Sequence, residues 1–208
     1  MTTTLAPSLQ RYVVIAQLAR LYEKKGGFNL GKTALQKLVY FLQEVHGVPL
    51  GYEYTLYTYG PFSTELVADL DTAAAMNYVS PVYDAGLRGY EIKPADGAEA
   101  LQKQSKDWLK GVAPKLEAVF EAFRGYGAKG LELRATIVYV AREAKADHVV
   151  LGDDELVVEV HQLKPHFTED AIRDAISELR EKGYLGAGAN GTSTKKSGGF
   201  FGLKRRPR

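Results

Sequence analysis

The chain contains no cysteine, which excludes disulfides and thiolate zinc sites and fits a reducing compartment. No apolar run approaches the roughly 20 residues that span a bilayer. The first residues, Met1-Thr2-Thr3-Thr4-Leu5-Ala6-Pro7, have neither the basic end nor the long apolar core of a signal peptide. A cytoplasmic location with no membrane partner is expected. Histidine is scarce, with four in 208 residues. His161 and His166 straddle Pro165 and so cannot sit one helical turn apart as zinc ligands do, while His46 and His148 lie far off in sequence. None has an evident carboxylate partner from which a nucleophilic triad could be built. Asp69 and Asp71 flank Leu70 on a predicted helix, so they point apart and read as solvated rather than as a catalytic pair. No catalytic residue, cofactor or metal is expected.

Acidic residues are absent from Gly186 to Arg208, a stretch that holds Lys195, Lys196, Lys204, Arg205, Arg206 and Arg208. These six belong to a total of 27 basic residues; the remaining 21 face 25 acidic ones, so residues 1–185 carry a formal charge of −4. An acidic body weakens the reading of a non-specific nucleic-acid binder. The Gly-, Ser- and Thr-rich composition after Leu185 cannot bury enough apolar area to offset ordering entropy, which predicts a flexible basic tail over 186–208. The competing expectation is that Phe200, Phe201 and Leu203 close the strand of a second wing.

One apparent enzyme signal is present. Gly26, Gly31, Lys32 and Thr33 satisfy the phosphate-loop spacing, and Val149-Val150-Leu151-Gly152-Asp153-Asp154 faintly imitates the acidic strand that holds magnesium. That chemistry requires a buried strand feeding the loop, so that backbone amides cradle phosphate at a helix start. What precedes Gly26 is Leu18-Ala19-Arg20-Leu21-Tyr22-Glu23-Lys24-Lys25, which is amphipathic and helical. The motif is expected to be a turn between helices with Lys32 in water.

The informative segment follows. Leu35, Leu38, Val39 and Leu42 recur at helical spacing and predict a buried stripe, with Gln36, Lys37, Gln43 and Glu44 on the wet side. Tyr52, Tyr54 and Leu56 alternate with Glu53 and Thr55 as in a half-buried strand. Gly60-Pro61 is expected to end that strand, with Pro61 in the first turn of a helix capped by Ser63 or Thr64 and carrying Leu66 and Leu70. Tyr78–Tyr83 and Tyr90–Lys93 then predict a hairpin. Before this segment, Leu9, Tyr12, Val13, Ala16 and Leu21 predict a first helix stopped by Gly26-Gly27; after it, Ala98–Phe123 reads as a helix kinked or divided by Pro114. Helices at about 131–145, 154–163 and 168–182 have the size and order of a second helix-turn-helix.

The expected fold class is mainly α with small β: a winged-helix-like module over 1–97, packed on a helical half over 98–185 with a candidate second helix-turn-helix, and the tail. At 208 residues and 45% hydrophobic composition the chain can bury one good core or two small ones. Through Leu35-Gln36-Lys37-Leu38-Val39-Tyr40 and Tyr59-Gly60-Pro61, the stretch from about 30 to 78 resembles the Panacea-domain family. That family includes SocA-like antitoxins and phage-associated proteins, and the stretch looks still closer to the YwgA-like bacterial proteins. Many Panacea proteins place a Thr-His and then a Pro-Trp near the carboxyl end; this chain has neither, its sole tryptophan, Trp108, lying between Asp107 and Leu109.

The resemblance implies a non-enzymatic protein-interaction or regulatory role, antitoxin-like or associated with phage defence, with a toxin, phage product or host factor as partner. Among the 13 tyrosines, Tyr40 and two of Tyr52, Tyr54, Tyr57 and Tyr59 are expected in the core. Tyr57 and Tyr59, beside Gly60 and Pro61, are the candidate partner contacts. The alternative is a winged-helix nucleic-acid-binding regulator with the 78–93 hairpin as wing and the six basic tail residues on phosphates. Against it, the helix after Ser63 carries Glu65, Asp69 and Asp71 but no Lys or Arg as far as Asn77.

Overall fold

The computed structural model describes residues 5–86 and 89–186. The basic tail, and with it Lys195, Lys196, Lys204, Arg205, Arg206 and Arg208, lies outside the described residues. The fold is mainly α with small β, and it divides into two compact units, one through Thr136 and one from Ile137 onward. No helix among the described residues is long and apolar enough to cross a membrane.

The first unit follows the expected order of helix, helix, strand, helix and hairpin, except that the strand has a partner. It holds α1 (Pro7–Lys25), α2 (Lys32–Glu44), β1 (Thr55–Tyr57), β2 (Gly60–Phe62), α3 (Thr64–Ala75), β3 (Val79–Asp84) and β4 (Gly89–Pro94). It then continues past residue 97, because α4 (Gly97–Gln104) and α5 (Lys106–Phe123) pack on α1 and α2. The division falls within α6 (Ala128–Ala146).

Helix α1 is the hub. Val13, Val14, Ile15 and Ala16 are buried in succession, as are Leu18 and Ala19. A helix buried on every side shows no clean stripe, and the expected positions Leu9, Tyr12 and Leu21 turn out only half-buried. Gly26, at φ 69°, ends α1 as expected. Helix α2 is as deeply placed: every residue from Ala34 to Leu42 is buried, including Gln36 and Lys37. These two side chains therefore do not stay in water. Phe41 of α2 stacks on Phe123 of α5 with ring centroids 4.3 Å apart, and Tyr22 meets Phe120 edge-on.

Three further expectations are corrected. The strand is Thr55–Tyr57, not Tyr52–Leu56, and Gly60-Pro61 does not enter a helix but forms β2, with Leu56 opposite Pro61 and Tyr57 opposite Gly60. Proline is admissible there because both strands of a two-stranded sheet are edges. Helix α3 starts only at Thr64, with Ser63 as its cap, its hydroxyl accepting from the Leu66 amide at 3.5 Å. The break after residue 98 lies at Ser105, and Pro114 sits inside α5 on an exposed face, where the carbonyl it leaves without a donor can be hydrated.

In the second unit, α7 (Asp153–Leu163) packs on α8 (Glu169–Glu181). Helix α8 is capped by the Thr168 hydroxyl and buries Ile172, Ala175, Ile176 and Leu179, the stripe its periodicity predicts.

Candidate functional site

The side chains of α2 explain why Leu35-Gln36-Lys37 and Tyr59-Gly60-Pro61 belong together. Gln36 Nε2 donates to the Ser63 carbonyl at 2.9 Å, and the Ser63 amide donates back to Gln36 Oε1 at 3.0 Å. The glutamine amide thus pairs with a backbone residue as a neighbouring strand would. Lys37 Nζ donates to the Pro61 carbonyl at 2.8 Å, where the chain buries it almost completely. Seven residues on, and so on the same helical face, Gln43 repeats the motif: its amide donates to the Tyr52 carbonyl and accepts from the Tyr52 amide, both at 2.8 Å. Helix α2 therefore grips both ends of the segment 52–63 by its backbone.

Between the grips the segment makes a hairpin. Thr58 and Tyr59 form a two-residue loop in which neither has a positive φ, and Gly60 at φ 86° supplies the left-handed residue, the arrangement of a glycine-bulge hairpin. A Cβ on Gly60 would stand 3.1 Å from Thr136 Oγ1 and 3.4 Å from Lys37 Cε. Glycine is required here by both conformation and space.

The segment is braced from below by Arg11. Its guanidinium donates to the carbonyls of Leu50 and Gly51 at 2.7 and 2.9 Å, lies 4.3 Å over the Tyr52 ring, and reaches Asp69 and Glu65 of α3. Tyr52 donates its hydroxyl to Asp69 at 2.9 Å. Asp69 is thus a structural acceptor rather than a solvated residue, and Asp71 points elsewhere, into water. Burial first, and then the Asp69 charge, push the Tyr52 phenol up; burial does the same to Tyr54, whose ring meets Tyr40 edge-on at 4.9 Å. Both phenols are held neutral.

What this frame presents is aromatic. Tyr57 and Tyr59 are 67% and 61% exposed, the candidate contacts the sequence singled out, while Tyr40 and Tyr52 are in the core. Beneath the hairpin lies a cleft of about 200 Å³. Lys32, Thr33 and Gln36 of α2 form one wall; Tyr57, Tyr59 and Phe62 form the second, and Leu66, Val67 and Leu70 of α3 the third. Gln36, Lys37 and Gln43 were missed as clamps because a stripe argument assigns polar residues to solvent. The contributions of α3 were visible as its apolar stripe, but not that it faces a cleft.

The phosphate-loop spacing at Gly26–Thr33 has the wrong surroundings. Helix α1, not a strand, feeds it, and its backbone is already engaged: Phe28 N donates to Arg124 O, Gly31 N to Asn29 O, and the Leu30 carbonyl accepts from Ile92 of β4. Residues 149–152 form no strand, and Asp153 and Asp154 open α7 and pair with Arg180 and Arg173. Lys32→Ala is expected to leave the melting temperature unchanged, and neither form should bind ATP or GTP at micromolar concentrations. Calorimetric titration of both forms checks this, and binding lost on the substitution would restore the phosphate-loop reading.

His161 Nδ1 is 2.8 Å from the Phe167 carbonyl, closing the turn before α8, and the His166 ring lies against Phe167. Among the described residues no group of three or more histidines and carboxylates is placed to hold a metal ion. The cations of α8 and its C-cap are all paired: Arg173 with Asp154, Arg180 with Asp153 and, at the cap, Lys182 with Glu178. No protein-family model and no curated protein matches the chain.

Proposed function

We propose that the chain is a non-enzymatic, cytoplasmic protein-interaction or regulatory protein that holds a protein partner on its tyrosine hairpin. The partner would be a toxin, a phage product or a host factor, in keeping with the resemblance to antitoxin and phage-associated proteins of the Panacea-domain family. One observation carries the reading: Tyr57 and Tyr59 are both exposed on a hairpin whose backbone is pinned by buried Gln36 and Lys37. Tyrosine offers a large amphipathic contact with few rotatable bonds, and a pinned backbone has little entropy left to lose on binding. Exposed tyrosines on a rigid base are therefore good anchors for a partner.

The alternative is a nucleic-acid-binding regulator, favoured by the six basic residues between Lys195 and Arg208. Helix α3 has no Lys or Arg, and the cations of α8 and its C-cap are engaged with carboxylates. Any DNA or RNA binding is thus assigned to the tail, with a log-log salt slope no steeper than about −5 for six phosphates.

The test places a photo-crosslinking residue at Tyr59 in the full chain, with the same residue at exposed Val158 as control, in the cells that make the protein. The expected product is a discrete protein adduct at position 59, absent at 158 and lost on Tyr57→Ala. Salt-tolerant, sequence-specific DNA binding that survives replacement of all six basic tail residues by alanine would overturn the assignment.

A further inference from the structure

The lining of the cleft under the hairpin has a charge sign opposite to the net charge of residues 1–185. Residues 1–185 carry an excess of four acidic residues, yet the residues that line the cleft include two lysines, Lys32 and Lys37, and no carboxylate. The two lysines differ. Lys37 is buried and its ammonium is committed to the Pro61 carbonyl. Lys32 is exposed at the first turn of α2, with its Nζ 4.8 Å over the Tyr90 ring, and has no carboxylate partner among the described residues. An aromatic face orients an ammonium without neutralising it. The cleft is otherwise aromatic and aliphatic, from Tyr57, Phe62, Leu66 and Leu70. Its volume of about 200 Å³ falls below the roughly 300–1,000 Å³ typical of small-molecule sites, which favours one or two protruding side chains over a cofactor.

We propose, resting on the protein-interaction reading, that the cleft binds a peptide segment of the partner in which an apolar side chain is flanked by an acidic one. The apolar side chain enters between the hairpin and α3, and the carboxylate meets Lys32. Lys32 is thereby the residue that discriminates between partners, since a basic flank would face an unneutralised cation across a cleft with no acid to receive it. The basic tail of this same chain, which has no acidic residue, is a poor occupant for the same reason.

Fluorescence anisotropy with the full chain and three labelled peptides tests this. One has a central Leu-Phe pair between aspartates, the second has serines in place of the aspartates, and the third keeps the aspartates but replaces Leu-Phe with serines. The first is expected to bind tightest. Lys32→Glu should weaken it about three- to tenfold, in line with a partly exposed ion pair turned repulsive, and leave the second unchanged. Joint replacement of Tyr57 and Tyr59 by alanine should weaken both by about tenfold or more.

Equal binding of the first two peptides, both lost with the tyrosines, would overturn the acidic preference and leave the protein-interaction reading standing. Binding of the first peptide unaffected by the tyrosine substitutions would remove the hairpin as the site and overturn both. Equal binding of the first and third would assign the attraction to charge alone and overturn the cleft as the site. Absence of binding by the first peptide below about 1 mM overturns the inference.

Discussion

Gln36→Leu is expected to destabilise the first unit by about 2–6 kcal/mol, although the substitution is close in size and more apolar. The side chain pairs both the carbonyl and the amide of Ser63 in the buried interior. Leucine would leave two backbone groups without partners, each costing about 1–3 kcal/mol. Lys37→Met strands the Pro61 carbonyl, and about 1–3 kcal/mol is expected from that bond. Gln43→Leu removes the same reciprocal pairing, from Tyr52, but at a half-buried position where water can replace the lost partner. It should cost the least per bond. Urea unfolding of the three variants reads the order directly. A Gln36→Leu midpoint equal to that of the parent would mean that α2 does not hold the hairpin, and the rigid presentation of Tyr57 and Tyr59 would fall with it.

The clamp shows where sequence periodicity succeeds and where it fails in this chain. Helix α8 was legible because it lies on a surface: one face is buried and its apolar residues fall on one stripe. Helices α1 and α2 are surrounded, and their burial runs through consecutive residues, so polarity no longer marks the wet side. Gln36 and Lys37 are polar because the backbone beside them needs partners, and nothing local in the sequence announces that need. Gly60-Pro61 carried a true signal, a left-handed glycine before a fixed proline, but the same dipeptide suits a helix start and the return strand of a glycine-bulge hairpin. Only the pairing of Tyr57 with Gly60 decides between them. The exposed pair Tyr57 and Tyr59 was distinguishable from buried Tyr52 through proximity to that turn, whereas the cleft needs α2, the hairpin and α3 together and has no sequence signature.

The rigidity of α2 in turn rests on its apolar side. Phe41→Ala is expected to cost about 3–5 kcal/mol, the usual range for emptying a buried phenylalanine site, because Phe41 is fully buried and stacks on Phe123 with an interplanar angle of 12°. Leu38→Ala, one turn earlier and equally buried, should cost about 2–5 kcal/mol. The aromatic pair adds a separable quantity. If the stacking contributes beyond area burial, Phe41→Ala and Phe123→Ala together should cost less than the sum of the two alone, with a coupling of about 0.5–1.5 kcal/mol. Denaturant melts of the two single variants and the double variant measure it. Strict additivity would mean that the two rings contribute independently, with no coupling between them. A Leu38→Ala midpoint equal to that of the parent would take α2 out of the core, and the helix could then no longer act as a fixed post for Gln36, Lys37 and Gln43. Because the clamps and Phe41 are on one helix, the loss should also be visible at a distance from the rings. A label on Tyr59 should gain motion in Phe41→Ala under conditions where the parent hairpin is still, since a post that shifts cannot hold the backbone of residues 52–63 to hydrogen-bond tolerance.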